Sequence, residues 1–124
     1  IPADGFYEWD RQGVNKRPYY FSPPEGVVLA FGGVWESWQA PDGSLLRTAC
    51  ILTTAANAQV APIHDRMPLL LAPADWATWL EGPAANAQNL LRPAPDTALR
   101  AWPVSPRVNR VQEEGEGLIA PQPD

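Results

Sequence analysis

Cysteine and histidine are almost missing from this chain: Cys50 and His64 are the only examples in 124 residues. One thiol cannot build an internal disulfide framework. One thiol and one imidazole without ligand spacing do not make a metal site, so no metal and no cofactor is expected. A lone thiol also suits a reducing compartment. Long apolar runs are absent, which excludes a helix that crosses a bilayer and leaves no membrane partner expected. No secretory leader pattern opens the chain. Glycine-rich phosphate loops and a Gly-x-Ser-x-Gly elbow are lacking, so nucleotide-loop and serine-hydrolase chemistry have no support. Internal repeats and low-complexity blocks are missing too.

What is present points to short elements and many turns. There are 15 prolines and 9 glycines. The length fits one domain with a modest core. The net charge is −5, which taken alone opposes binding to a polyanion. Glu113, Glu114, Glu116 and Asp124 concentrate the acid at the end, and residues 1–112 carry a net of only −1. Eight of the nine cations are Arg, the side chain suited to bidentate phosphate contact.

Residues 4–9 alternate, with Phe6 and Glu8 on one face and Tyr7 and Trp9 on the other. "RQGVNK" (11–16) reads as a turn around Gly13, followed by a strand in "RPYYFSP" (17–23). "VVLAFGGVWESW" (27–38) is a third strand, with a bulge or close backbone approach at Gly32-Gly33. "PDG" (41–43) marks a turn. "LLRTACILTTA" (45–55) is apolar and β-branched enough to be a central strand. "MPLLL" (67–71) and "LRAWPVS" (99–105) are further strands. Residues 73–82 carry helix marks: Pro73 and Asp75 early, Trp76, Trp79 and Leu80 on one face, and Gly82 at the end. A second short helix is expected at 84–91, and an extended polar tail from Gln112. The fold class is α+β, mainly antiparallel β and barrel-like, with one or two short helices.

Few residues could carry chemistry. His64 is the natural acid or base near neutral pH, or a loop-packing ring. In an extended segment Asp65 and Arg66 would not both share its side of the chain. Glu8, between Tyr7 and Trp9, is a proton donor if desolvated, or a solvated strand carboxylate. The neighbouring rings suit stacking on a base. Glu36, between Trp35 and Trp38, repeats that setting. Cys50 could pair with His64 in a thiol hydrolase, but its apolar strand suggests a buried, inert thiol. "RVNR" (107–110) puts Arg107, Asn109 and Arg110 beside Ser105, either for phosphate contacts or as a solvated loop.

Four segments, "IPADGFYEW" (1–9), "ILTTAAN" (51–57), "IHDRMPLLL" (63–71) and "WPVSPRVN" (102–109), together resemble the SOS response-associated peptidase family, the SRAP domain. "PADGFYEW" and "IHDRMP" are the most specific. The resemblance implies a DNA damage response protein that recognises abasic sites in single-stranded DNA. It implies a covalent thiazolidine link through an N-terminal cysteine, and self-processing that exposes that cysteine. By the same resemblance Glu8 and His64 are catalytic, while Trp9, Arg66, Thr53 and Thr54 lie along the DNA. Glu36 falls where the family has no catalytic residue. A bacterial, cytoplasmic, nucleoid-associated protein, monomeric when complete, is implied. Cys50 does not match the family's nucleophile, which belongs upstream of Ile1. Residues 1–124 are therefore expected to be the C-terminal portion of a single SRAP domain. Such a portion should expose apolar edges and lack crosslinking ability by itself. A non-covalent single-stranded DNA-binding module and the Cys50/His64 hydrolase are the competing readings.

Overall fold

Nine short strands and two short helices form the chain in a computed structural model that describes residues 1–10, 12–13, 16–24 and 27–122. The strands are β1 (Pro2–Ala3), β2 (Phe6–Asp10), β3 (Arg17–Ser22), β4 (Leu29–Ala30), β5 (Gly33–Gln39), β6 (Leu45–Ile51), β7 (Thr53–Ala55), β8 (Arg66–Pro68) and β9 (Arg100–Pro103). The helices are α1 (Trp76–Glu81), entered through a 3-10 turn at Pro73–Asp75, and α2 (Ala84–Gln88). All pairing is antiparallel: β1 with β4, β2-β3-β9 in that order, β5 with β6, and β7 with β8. The α+β expectation holds. Among the described residues the four sheets do not close into a barrel. The turn expected around Gly13 falls partly outside the described residues.

The core follows from the alternation in β2 and β3. Phe6 pairs across the ladder with Phe21 and stacks on it, ring centroids 5.0 Å apart. Phe31 meets Phe6 edge-on at 6.0 Å. Leu29, Val60, Met67, Ala94 and Leu99 complete the cluster, with Phe21 and Val60 wholly buried. The opposite face of the same sheet carries Trp9, Tyr7, Tyr20 and Trp102 in a row, with neighbouring centroids 6.4, 5.1 and 5.4 Å apart.

Two predicted strands are broken, and one backbone network explains both breaks. Gly32 donates its N–H to Leu69, Leu52 donates to Gly32, and Leu69 donates to Leu52. The chain thus changes partner at 32 and again at 52. A Cβ on Gly32 would lie 2.6 Å from the Leu69 side chain, so the expected close approach is real. Regular strand pairing of "MPLLL" stops at Pro68; beyond it, among the described residues, Leu70 bridges Phe31 and Leu71 donates its N–H to the Ala30 carbonyl.

The expectation that 45–55 is central is overturned. β6 pairs with β5 alone, and every residue of it is exposed. Apolar content marks a strand but does not say what covers it. The tail is also not simply extended. Residues Glu116–Leu118 form a 3-10 turn, Pro121 bridges Val104, and Trp102 donates its Nε1–H to the Ile119 carbonyl at 2.8 Å. Among the described residues no helix is long and apolar enough to cross a membrane.

Candidate functional site

The turn after β7 builds the seat of His64. Asn57 is buried, and its side chain uses both ends. Its Nδ2 donates to the carbonyls of Ala94 and Pro95, each at 3.2 Å, and its Oδ1 accepts from the Val60 N–H at 3.1 Å. Val60 sinks into the core, and its carbonyl accepts the N–H groups of Ile63 and His64. A fully partnered buried amide of this kind fixes a loop because leaving either end unpaired is costly. Asn57 stood in one of the four quoted segments, but spacing alone gave it no role.

His64 is about a quarter exposed. Its Nδ1 lies 3.0 Å from both the N–H and the carbonyl of Arg66, and 3.4 Å from Asp65 Oδ1. The Arg66 N–H can serve a neutral ring as donor, and the oxygens can serve a protonated one as acceptors. Nε2 has no partner among the described residues and is the ring atom left for other work. The Asp65 side chain reaches His64, contrary to expectation, whereas Arg66 meets the ring only through its backbone. Residues 58–63 form a turn, so the chain arriving at His64 is not extended.

Arg66 and Thr53 are brought together directly. The β7–β8 register pairs Ala55 with Arg66 and Thr53 with Pro68, which puts Thr53 and Arg66 on one face. Arg66 Nη2 donates to Thr53 Oγ1 at 2.8 Å and to the Thr53 carbonyl at 2.7 Å, and Nε reaches Oγ1 at 3.3 Å. The guanidinium is held at an exposed position with donors to spare. Thr54 lies on the other face, opposite buried Met67, and does not join this pair.

Glu8 sits on β2 opposite Tyr19, on the same face as Phe6 and half-buried. Its flanking rings pack together on the reverse face, so they do not enclose the carboxylate. Tyr7 and Tyr20 in that row have their hydroxyl pKa raised, chiefly by desolvation. Trp9 donates its Nε1–H to Asn109 Oδ1 at 2.7 Å. Gln12, just past β2, donates from Nε2 to the Pro62 carbonyl at 3.1 Å, which ties the Glu8 hairpin to the His64 turn. No hydrogen bond or ion pair joins Glu8 to His64 among the described residues.

The remaining candidates separate from this region. Glu36 pairs with Thr48, and Cys50 with Val34, on the open β5–β6 hairpin. Cys50 is exposed, not buried as expected, and no contact among the described residues links it to His64. Arg107 binds Glu113 through Nε at 2.9 Å and through Nη2, and Arg110 approaches the same carboxylate at 3.9 Å. Their charge is already answered inside the loop. No group of three or more His, Cys, Asp or Glu side chains is arranged for a metal among the described residues.

A family model for the SOS response associated peptidase (SRAP) matches residues 1–111. The chain belongs to the SRAP family. The abasic site processing protein YoqW of Bacillus subtilis (strain 168) is 36% identical over 123 residues, which cover 96% of this SRAP chain and 55% of YoqW. The abasic site processing protein HMCES of Gallus gallus is 32% identical over 144 residues, covering 98% of this chain and 42% of HMCES. Among solved structures, a Bacteroides thetaiotaomicron protein aligns with TM-score 0.88 at 23% identity, over 98% of this chain and 55% of its own. A Bordetella bronchiseptica protein aligns with TM-score 0.77 at 28% identity, over 85% and 53%. This SRAP chain spans about half the length of the curated relatives it matches.

Proposed function

We propose that this chain is the C-terminal portion of an SRAP domain that recognises abasic sites in single-stranded DNA and links to them covalently. The observation that carries the reading is the corner at His64 and Arg66. There an imidazole with a free Nε2 stands beside a guanidinium held outward by Thr53. Such a pair suits proton transfer next to a phosphate-bearing strand. Relatives named for abasic site processing support the substrate.

In this reading the nucleophile is an N-terminal cysteine in the upstream portion, exposed by self-processing. Its amine adds to the C1′ aldehyde of the ring-opened sugar, and water leaves to give a Schiff base. Its thiol then adds to the imine carbon, the proton moves to nitrogen, and the thiazolidine closes. His64 assists opening of the sugar ring, and Glu8 moves protons during addition and reversal. Trp9 lies along the strand, and Thr53 holds Arg66 toward its phosphates. Thr54, on the opposite face of β7 against Met67, has no DNA contact in this reading. The protein works on DNA and not at a membrane, in keeping with a cytoplasmic, nucleoid-associated place.

The test uses protein extended upstream to a free N-terminal cysteine. Incubation with an abasic single-stranded oligonucleotide should give a covalent band on a denaturing gel, and residues 1–124 alone should give none. His64→Ala and Glu8→Gln should each slow linkage or its reversal by about a hundredfold, within the usual range for a positioned acid or base. No band with the cysteine in place would sink the proposal. Salt-sensitive binding with no preference for the abasic site would instead favour a binding module without chemistry.

A further inference from the structure

The "WPVSPRVN" segment found no use in the chemistry above, and its arginines are occupied by Glu113. The geometry points to a different role: Asn109 is a positioning residue that sets the plane of the Trp9 ring. The inference rests on the proposed placement of Trp9 along the DNA strand.

Indole Nε1–H can only donate, so the partner atom across the 2.7 Å contact must be an acceptor. That fixes the Asn109 amide with Oδ1 toward Trp9 and Nδ2 away from it. Residues 104–110 form a hydrogen-bonded mount for this oxygen. Val104 donates its N–H to the Pro18 carbonyl at 3.0 Å, and Pro18 is the residue paired with Trp9 across the β2–β3 ladder. Ser105 Oγ accepts the Arg107 N–H, and Pro106 opens the 3-10 turn Pro106–Asn109. Arg107 is braced from outside by Glu113. Its guanidinium gains from that carboxylate, which is itself held below the usual carboxylate range by the same contact.

The ring therefore has two restraints. Tyr7 lies beside it at 6.4 Å, and Asn109 pins its polar edge. An indole held in one plane gives a base or bare sugar a ready stacking face, and the cost of ordering it has been met before DNA arrives.

The test uses the same upstream-extended protein and a labelled single strand with one tetrahydrofuran site, which lacks the aldehyde and so reports binding alone. Asn109→Ala should weaken binding about three- to tenfold, the scale of one hydrogen bond. The melting midpoint should stay in place, and the Trp9 indole N–H resonance should move. Trp9→Phe keeps a ring but removes the donor, so it should lose as much affinity as Asn109→Ala. In the Trp9→Phe background, Asn109→Ala should cost nothing further. An equal loss in both backgrounds would overturn the inference and make Asn109 a direct DNA contact. So would wild-type affinity in Trp9→Phe, a result that stands even if Asn109→Ala melts early. If Trp9→Ala binds as wild type, Trp9 is not on the DNA path; an unchanged indole resonance in Asn109→Ala would then refute the ring contact separately.

Discussion

The β2-β3-β9 sheet and the β5–β6 hairpin are both antiparallel and rich in aromatic residues, yet their surroundings are opposite. Phe21 in the first is wholly buried, while Trp35 in the second is 72% exposed. The sheet is covered by the Phe31–Met67 cluster on one face and by the tail through Ile119 on the other. The hairpin leaves Trp38, Leu45 and Leu46 open as well. At its base an apolar groove of about 420 Å³ runs between Ile1, Phe31, Val34, Trp35, Trp76 and Trp79. Strand-forming composition is therefore equal in the two regions, and cover alone separates them. Exposed apolar surface on this scale normally belongs to an interface.

Replacing Phe21 with Ala should give the largest effect, a loss of about 3–5 kcal/mol in urea denaturation, since it empties the centre of the cluster. Trp35→Ser should stay within about 0.5 kcal/mol, as a change at an open site does. Comparable losses at both sites would break the contrast and mean that the hairpin is covered in solution.

A middle-sized effect is expected at Gly5. A Cβ there would lie 2.4 Å from the Phe21 carbonyl oxygen and 2.4 Å from the Tyr20 ring. Gly5→Ala should cost about 1–3 kcal/mol by overpacking. Gly117→Ala, where nothing lies within 4 Å of the added atom, should be close to neutral in the same titration. A neutral Gly5→Ala would show that the sheet yields where the packing says it cannot.

The contrast also marks how far the residues could be read in order. Alternation at 4–9 correctly separated the Phe6 and Glu8 face from the Tyr7 and Trp9 face, because a strand's period of two is local; which face meets the core came from the structure. Nothing local distinguishes "LLRTACI" from a central strand, since the missing information is which partner lies across it. Cys50 was misjudged as buried for the same reason. At the site, the chemistry of His64 and Glu8 was visible in their residue types, and the resemblance alone raised them above ordinary residues. The Arg66–Thr53 pair needs the β7–β8 register, and the Trp9–Asn109 bond joins residues 100 positions apart. Asn57 and Gly5 both stood inside quoted segments. Their roles depend on what approaches them from elsewhere in the chain.

The smallest effect belongs to the hairpin's own turn. Lacking cover, β5 and β6 rely on the connection at residues 40–44. Gly43 takes φ +85°, and Asp42 Oδ1 accepts from the Ser44 N–H at 2.9 Å and the Ser44 hydroxyl at 2.7 Å. Those bonds hold the Asp42 carboxyl below its ordinary value. A carboxylate depressed in the folded state stabilises it above the unfolded value and loses that contribution as pH falls through the folded value. The protection factors of the amides at residues 33–51, with the intrinsic pH dependence of exchange divided out, should therefore fall on acidification below the usual aspartate range. Protection around Phe21 should not follow, because the sheet does not depend on this turn. Asp42→Ala should remove the acid response of the hairpin and lower its protection near neutral pH, the two proteins converging in acid. If the buried sheet and the open hairpin lose protection together, the two regions unfold as one unit, and the hairpin is not the independently held element that its exposure implies.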